Sequence, residues 1–350
     1  MQRTSLMLAL ALLTGAAHAQ QPASTSSTGP YKVLKTVKVG GDGGFDYVYA
    51  DSANRRLYIP RLGATGHVAV FDLDTLDRVG EIANASGHGA TVDPGSHHGF
   101  VSSKPVVMWD AKTLTTIKTI DVQGGPDGIL GDPSSGRVYI LSHGAPNVTV
   151  INAKDGSVAG TIDLGGAPEQ AVTDGQGHLY TDLEDKGSIA VVDSAAMKLT
   201  TTYSLKGKGD GCAGLAIDVA NGILFAACRE PNVMVILKAS DGTILDTLPI
   251  GKGCDGAVFN PDTMEAFSSQ GDGTLTIIKE SSPTSFAVEQ TVKTAPLAKT
   301  LTLDTKTGNI LMTTAEFGPP PAPTTPATPG RWPRRGPMLT GSFAIVVVGK

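Results

Sequence analysis

One pattern, an apolar strand, an Asx-type turn and a second strand, recurs seven times along the chain, and its period constrains the fold more than any other feature. The copies read YVYADSANRRLYI, GATVDPGSHHGFV, GILGDPSSGRVYI, QAVTDGQGHLYT, GLAIDVANGILFA, GAVFNPDTMEAFS and KTLTLDTKTGNILM. Their turn residues are Asp51, Asp93, Asp132, Asp174, Asp218, Asn260 and Asp304, spaced by 42, 39, 42, 44, 42 and 44 residues. A third strand follows in six copies (HVAVFD, VVMWD, NVTVIN, SIAVVD, NVMVIL, TLTIIK), then a polar turn and a fourth strand such as TIKTIDV. Alternating β-branched residues and hairpin punctuation specify strands, and no segment carries a helical stripe. The unit is therefore a four-stranded propeller blade.

The seventh copy has its first two strands near 301–313 and a third at 343–348, but no fourth. Residues 31–39 resemble a fourth strand and have no three strands before them. The expected fold is all-β: a seven-bladed β-propeller over 31–350, closed by the N-terminal strand pairing with the C-terminal blade. Closure leaves no unpaired seam. A Pro/Thr-rich insertion at 318–340 interrupts blade 7 on the channel-mouth side, with Arg331, Trp332, Arg334 and Arg335 near its end.

With this period and second strands such as Arg137-Val-Tyr139-Ile and Arg56-Leu-Tyr58-Ile, the chain resembles the YncE-like, YVTN-repeat seven-bladed propellers of exported bacterial proteins. Tyr58-Ile-Pro-Arg61 and Tyr139-Ile-Leu-Ser142 stand where that family has its tetrapeptide. WD-type repeats fit less well, because Trp109-Asp110 is the only such dipeptide. The resemblance implies an exported propeller and no single activity.

Export is also read from the residues themselves. Arg3, an apolar run from Leu6 to Leu13 and Ala17-His18-Ala19 read as a signal peptide over 1–19, followed by a flexible tether at 20–30. The apolar run is too short to span a bilayer, and no later segment is long and apolar enough, so a periplasmic or extracellular, monomeric protein is expected. With 28 Lys+Arg against 33 Asp+Glu the net charge is −5, which supplies no general footprint for nucleic acid. Of three cysteines, Cys212 can pair across its hairpin with Cys228 or between blades with Cys254.

In a propeller the residues entering each innermost strand crowd around one channel mouth. Five places before each turn residue stand Asp46, His88, Asp127, Glu169, Ala213, Asp255 and Lys299; ten or eleven places after it stand Arg61, Lys104, His143, Glu184, Arg229 and Gln270. This polar mouth is the candidate ligand site, for a small polar ligand, a divalent cation or a partner protein. Carboxylates suit a hard cation, and His88 beside Asp127 and Glu169 admits a transition metal. Channel mouths are also wet, so solvated polar residues are expected there without any ligand. The alternative is a metal-assisted hydrolase, lactonase or lyase at the same mouth, with His88 or a carboxylate as general base.

Other motifs carry no chemistry. Gly209–Gly214 and Gly251–Gly256 match G-x-G-x-x-G but lead into strands, not helices, and read as blade-to-blade turns. His97-His98 reads as a solvated pair on a turn. Asp72, Asp110, Asn152 and Asp193 follow third strands, where Asx side chains stabilise turns. No His-Glu-x-x-His, Cys-x-x-Cys or G-x-S-x-G pattern is present.

Overall fold

The repeat units become seven antiparallel sheets arranged in a ring, seen in a computed structural model that describes residues 28–320 and 335–350. The expected leader at 1–19, most of the tether, and residues 321–334 of the insertion lie outside the described residues. The described residues contain no helix, and so none long and apolar enough to cross a membrane.

Blades are numbered by their turn residues, blade 1 carrying Asp51. Blade 2 runs outward from the axis through Gly87–Asp93, His98–Ser103, Val106–Asp110 and Thr116–Ile120. The other innermost strands are Pro126–Asp132, Pro168–Thr173, Asp210–Asp218, Cys254–Asn260 and Leu301–Asp304. In blade 1 this strand is broken into Gly44–Phe45 and Tyr49–Asp51. Neighbouring innermost strands touch around the ring, including blade 7 against blade 1.

Closure takes the expected form. Blade 7 is built from Leu301–Asp304, Asn309–Thr314 and Ala344–Gly349, and Lys32–Lys38 completes it antiparallel to the last of these, from Lys32 opposite Gly349 to Lys38 opposite Ala344. Tyr31, just ahead, is buried between blades 6 and 7. Its backbone exchanges hydrogen bonds with the Gln290 amide at 3.0 and 2.8 Å, its hydroxyl meets Glu265, and its ring stands edge-on to Phe267.

Simple alternation holds less well than expected. Val148–Asn152 and Ala344–Gly349 are buried nearly throughout, because both faces of an inner strand are covered by the flanking blades. The outer strands keep solvent-facing residues, as in Thr116–Ile120. Accordingly the core is divided into seven apolar clusters among the described residues, one for each seam between adjacent blades.

Buried turn acids organise the hairpins: Asp93 Oδ2 accepts from the Ser96 amide and hydroxyl, both at 2.7 Å. Asp72 and Asp110 do likewise after third strands, each accepting from two backbone amides. Cys212 and Cys228 face each other across the blade 5 hairpin and form a disulfide, leaving Cys254 as a buried free thiol.

The closing seam is also pinned on the turn face. Arg55 of blade 1 donates to both oxygens of Asp304 in blade 7, at 2.7 and 2.9 Å. Burial opposes the Asp304 charge, but the Arg55 bond outweighs it and holds the carboxyl down to about 2. Arg55→Met strands this carboxylate and is expected to cost about 3 kcal/mol in urea melts at pH 7. Because the folded-state pKa is depressed, the contribution is present above about pH 4 and lost as pH falls toward 2. The difference between wild type and variant should therefore shrink in acid; a constant difference would refute the assignment.

Candidate functional site

Counting residues from the turns places side chains on one mouth because each innermost strand starts there. Asp46 lies in the break of the blade 1 strand, His88 and Asp127 near the starts of the blade 2 and blade 3 strands, and Glu169 and Asp255 in those of blades 4 and 6. Lys299 enters blade 7, while His143, Glu184 and Arg229 come from the ends of second strands.

These nine side chains form one closed circuit. Lys299 Nζ lies 3.0 Å from Asp46 Oδ1, and Asp46 Oδ2 lies 2.9 Å from His88 Nδ1. His88 Nδ1 is 3.2 Å from Asp127 Oδ1; Asp127 Oδ2 is 3.4 Å from His143 Nε2, which is 3.3 Å from Glu169 Oε1. Glu184 comes within hydrogen-bonding reach of Glu169 and pairs with Arg229. Arg229 also pairs with Asp255, and Asp255 returns to Lys299. Every blade contributes, either from its strands or from the loop that enters them.

The electrostatics follow from five carboxylates facing two permanent cations and two imidazoles. Burial works against the Asp46 charge, but the Lys299 ammonium and His88 hold its carboxyl down to about 2. The Glu169 hydrogen bond holds the His143 imidazole up to about 9. His88 also rises, because Asp46 and Asp127 outweigh its burial. Asp127 and Glu184 rise through burial, the latter helped by the Glu169 charge. Asp182, fully buried beside this arc with neither oxygen hydrogen-bonded, is pushed far above the carboxylate range by burial and then by Glu169.

Not every candidate joins the circuit. Arg61 is buried, its guanidinium 3.7 Å from the centre of the Phe343 ring and donating to Gly43 O at 2.9 Å. Lys104 turns outward to Gly124 O at 2.7 Å. Gln270 is buried and donates to Ser268 O at 2.7 Å, and Ala213 has no polar group to offer. His98 is not a solvated turn residue: its Nδ1 lies 3.0 Å from Ala153 O of blade 3. Arg335, at the described edge of the insertion, is close enough for Asp46 to act on its charge.

Two residues beyond the sequence-derived set shape the mouth. Tyr47 of blade 1 donates to Glu169 Oε2 at 2.9 Å, and blade 4 lies across the ring, so the ring of Tyr47 spans the channel. Beneath it a cavity of about 410 Å³ is lined by Val48, Ile129, Val258 and Leu301. Gln170 Oε1 accepts from the Leu215 and Ala257 amides at 3.1 and 2.9 Å, and its Nε2 donates to Ala257 O. The repeat register carries the signal for both residues. Aligned with Tyr47 and Gln170 are Gly89, Gly128, Gly214, Gly256 and Thr300. Glycine is needed at most of these places: a Cβ on Gly128 would stand 2.5 Å from Glu169 O, and one on Gly214 2.6 Å from the Gly256 carbonyl carbon.

Two triads, Asp46/His88/Asp127 and Asp127/His143/Glu169, each place three potential ligand atoms within 4.8 Å of one another. Asp127 belongs to both, with one oxygen directed at each histidine.

No family model and no curated protein matches the chain. Solved structures do. "Structure of U3-55K" aligns with TM-score 0.69 at 11% identity, over 91% of this chain and 98% of that one. "Crystal structure of RRP9 WD40 repeats" gives 0.70 at 11%, with the same coverage. A chain of "Crystal Structure of Mitotic Checkpoint Complex" gives 0.70 at 11%, over 87% and 95%. The shared feature is the propeller fold. At this identity the likeness extends no further than the architecture.

Proposed function

We propose that the protein is an exported, monomeric propeller of the YncE-like kind that binds divalent transition-metal ions at its channel mouth. The observation that carries this reading is the pair of triads sharing Asp127. Ligand atoms bound about 2.1 Å from one metal stand roughly 3.0 to 3.4 Å apart. The imidazole-to-carboxylate separations of 2.9 to 3.4 Å lie at about that spacing. One nitrogen with two carboxylate oxygens per ion suits manganese or zinc better than copper(I). Without metal, protons on the two imidazoles supply the positive charge that the carboxylates require.

Titrating metal-free protein calorimetrically with Zn²⁺ and Mn²⁺ tests the reading. Saturable binding that ceases when the mouth is altered is expected; heats equal to dilution for both ions would end it. A protein partner docking over the same face is the second reading. It is favoured by Arg335, packed over the Phe317 ring and near enough for the Asp46 charge to act on it, which brings the insertion's stem toward the mouth. Recovery of a partner whose binding is lost on Asp46→Lys substitution would support it.

A further inference from the structure

The innermost strand of each blade has no sheet neighbour on its axial side. In an antiparallel ladder, opposed residues alternate between exchanging both backbone hydrogen bonds and exchanging none, so on such an edge every second residue turns its N–H and C=O toward the channel. Leu215 and Ala257, opposite Ala226 and Ser268, are residues of this kind in blades 5 and 6. Gln170 of blade 4 shows what such a pair can bind. Its amide oxygen is shared by the Leu215 and Ala257 N–H groups at 3.1 and 2.9 Å, and its Nε2 donates to Ala257 O at 2.9 Å.

Ala90 of blade 2 and Ile129 of blade 3 stand in the same register, each three places before its turn acid and opposite the residue eight places after it, Val101 and Ile140. Their amides and carbonyls therefore face the axis too, and no side chain of the described residues bonds them. Tyr47 stands in blade 1 where Gln170 stands in blade 4, but its hydroxyl is spent on Glu169 Oε2 at 2.9 Å. Gly89 and Gly128, at that place in blades 2 and 3, have no side chain to offer. Instead Ala90 and Ile129 line the cavity of about 410 Å³ beneath the Tyr47 ring. The cavity runs from that ring to the exposed turn residues Asn54, Pro94, Pro133 and Thr305, so it opens at the turn face. Backbone groups that find no protein partner take water or a ligand.

We infer that this cavity binds a small neutral molecule carrying a carboxamide or ring amide on an apolar body, its carbonyl oxygen shared by the Ala90 and Ile129 amides and its N–H directed to Ile129 O. The ligand's amide does on this side of the channel what the Gln170 side chain does on the other. An acceptor alone would leave Ile129 O without a donor, and a carboxylate would also face Glu169 and Asp51, which line the same space. The apolar body follows from the walls, where Val92, Leu130, Val258 and Leu301 offer only aliphatic surface.

The test is a titration of metal-free protein, in chelator throughout so that the mouth triads do not contribute, followed by amide-resolved NMR. Cyclohexanecarboxamide is expected to bind saturably, with a dissociation constant of about 1 mM or below and the largest shifts at Ala90 and Ile129. Cyclohexyl methyl ketone keeps the ring and the carbonyl but strands Ile129 O, and should bind about tenfold more weakly. Cyclohexanecarboxylate should bind no better than the ketone. Tyr47→Gln places in blade 1 the amide that Gln170 supplies in blade 4 and should abolish carboxamide binding, whereas Tyr47→Phe should keep it. In the wild type, no saturable shift, equal affinity for carboxamide and ketone, or shifts centred elsewhere would each overturn the inference. Undiminished binding to a folded Tyr47→Gln variant would do the same.

Discussion

A chain lacking residues 31–38 is expected to lose the closed ring and unfold more than about 5 kcal/mol more readily than wild type, enough to leave a typical domain unfolded or aggregated at 37 °C. Two losses add. The Lys32–Lys38 strand itself buries little, but without it Ala344–Gly349 becomes an open edge whose amides and carbonyls template pairing with other copies. Tyr31 is the larger energetic term. It fills the blade 6–7 seam, and removing a buried aromatic ring costs about 3–5 kcal/mol. Its departure also leaves the Gln290 amide without either partner. Urea unfolding and light scattering on the truncated chain, beside Tyr31→Ala in the full chain, separate the contributions. Near-wild-type stability after truncation would show that the strand is not the clasp.

The second large effect falls on Asp127. Because its two oxygens serve different triads, Asp127→Asn is expected to abolish both ions' binding, whereas Asp46→Asn should weaken only one. The loss should at least match the roughly 10–100-fold that follows removal of an outer partner of a metal site. Binding also competes with protons. The Glu169 hydrogen bond holds His143 up to about 9, so a metal must expel that proton at neutral pH. Affinity should therefore rise with pH and level off above about 9, and His143→Gln should remove the upper part of the rise. In the metal-free protein the sign is opposite: a raised imidazole stabilises the fold fully below about pH 6.5 and loses that contribution as pH climbs through 9. Equal weakening by Asp127→Asn and Asp46→Asn would refute the shared-carboxylate arrangement.

Blade number and closure are legible in the sequence because both depend on backbone periodicity: seven turns at one spacing and a stray fourth strand at 31–39 permit few other rings. The residues before the innermost strands are also legible, since strand direction fixes where Asp46, His88, Asp127, Glu169, Asp255 and Lys299 emerge. Second-strand ends are less so. Lys104 occupies the same repeat place as His143 and Arg229 but turns elsewhere, and Arg61 stands one place earlier, aligned with Ser103, Ser142 and Cys228, so strand alternation puts it on the other face. Phe343 draws Arg61 inward, and the Gly124 carbonyl holds Lys104 outside. Nothing in a single repeat foretells these long-range contacts. Tyr47 and Gln170 stand out only when the copies are aligned, as large residues at a place otherwise occupied by Gly or Thr.

The tyrosine that reaches from blade 1 to blade 4 makes the two ends of the propeller unequal. On one side of this aromatic crossbar stand the paired charges of the mouth, and on the other a hollow walled largely by aliphatic side chains, so a single ring divides two chemically unlike environments along one axis.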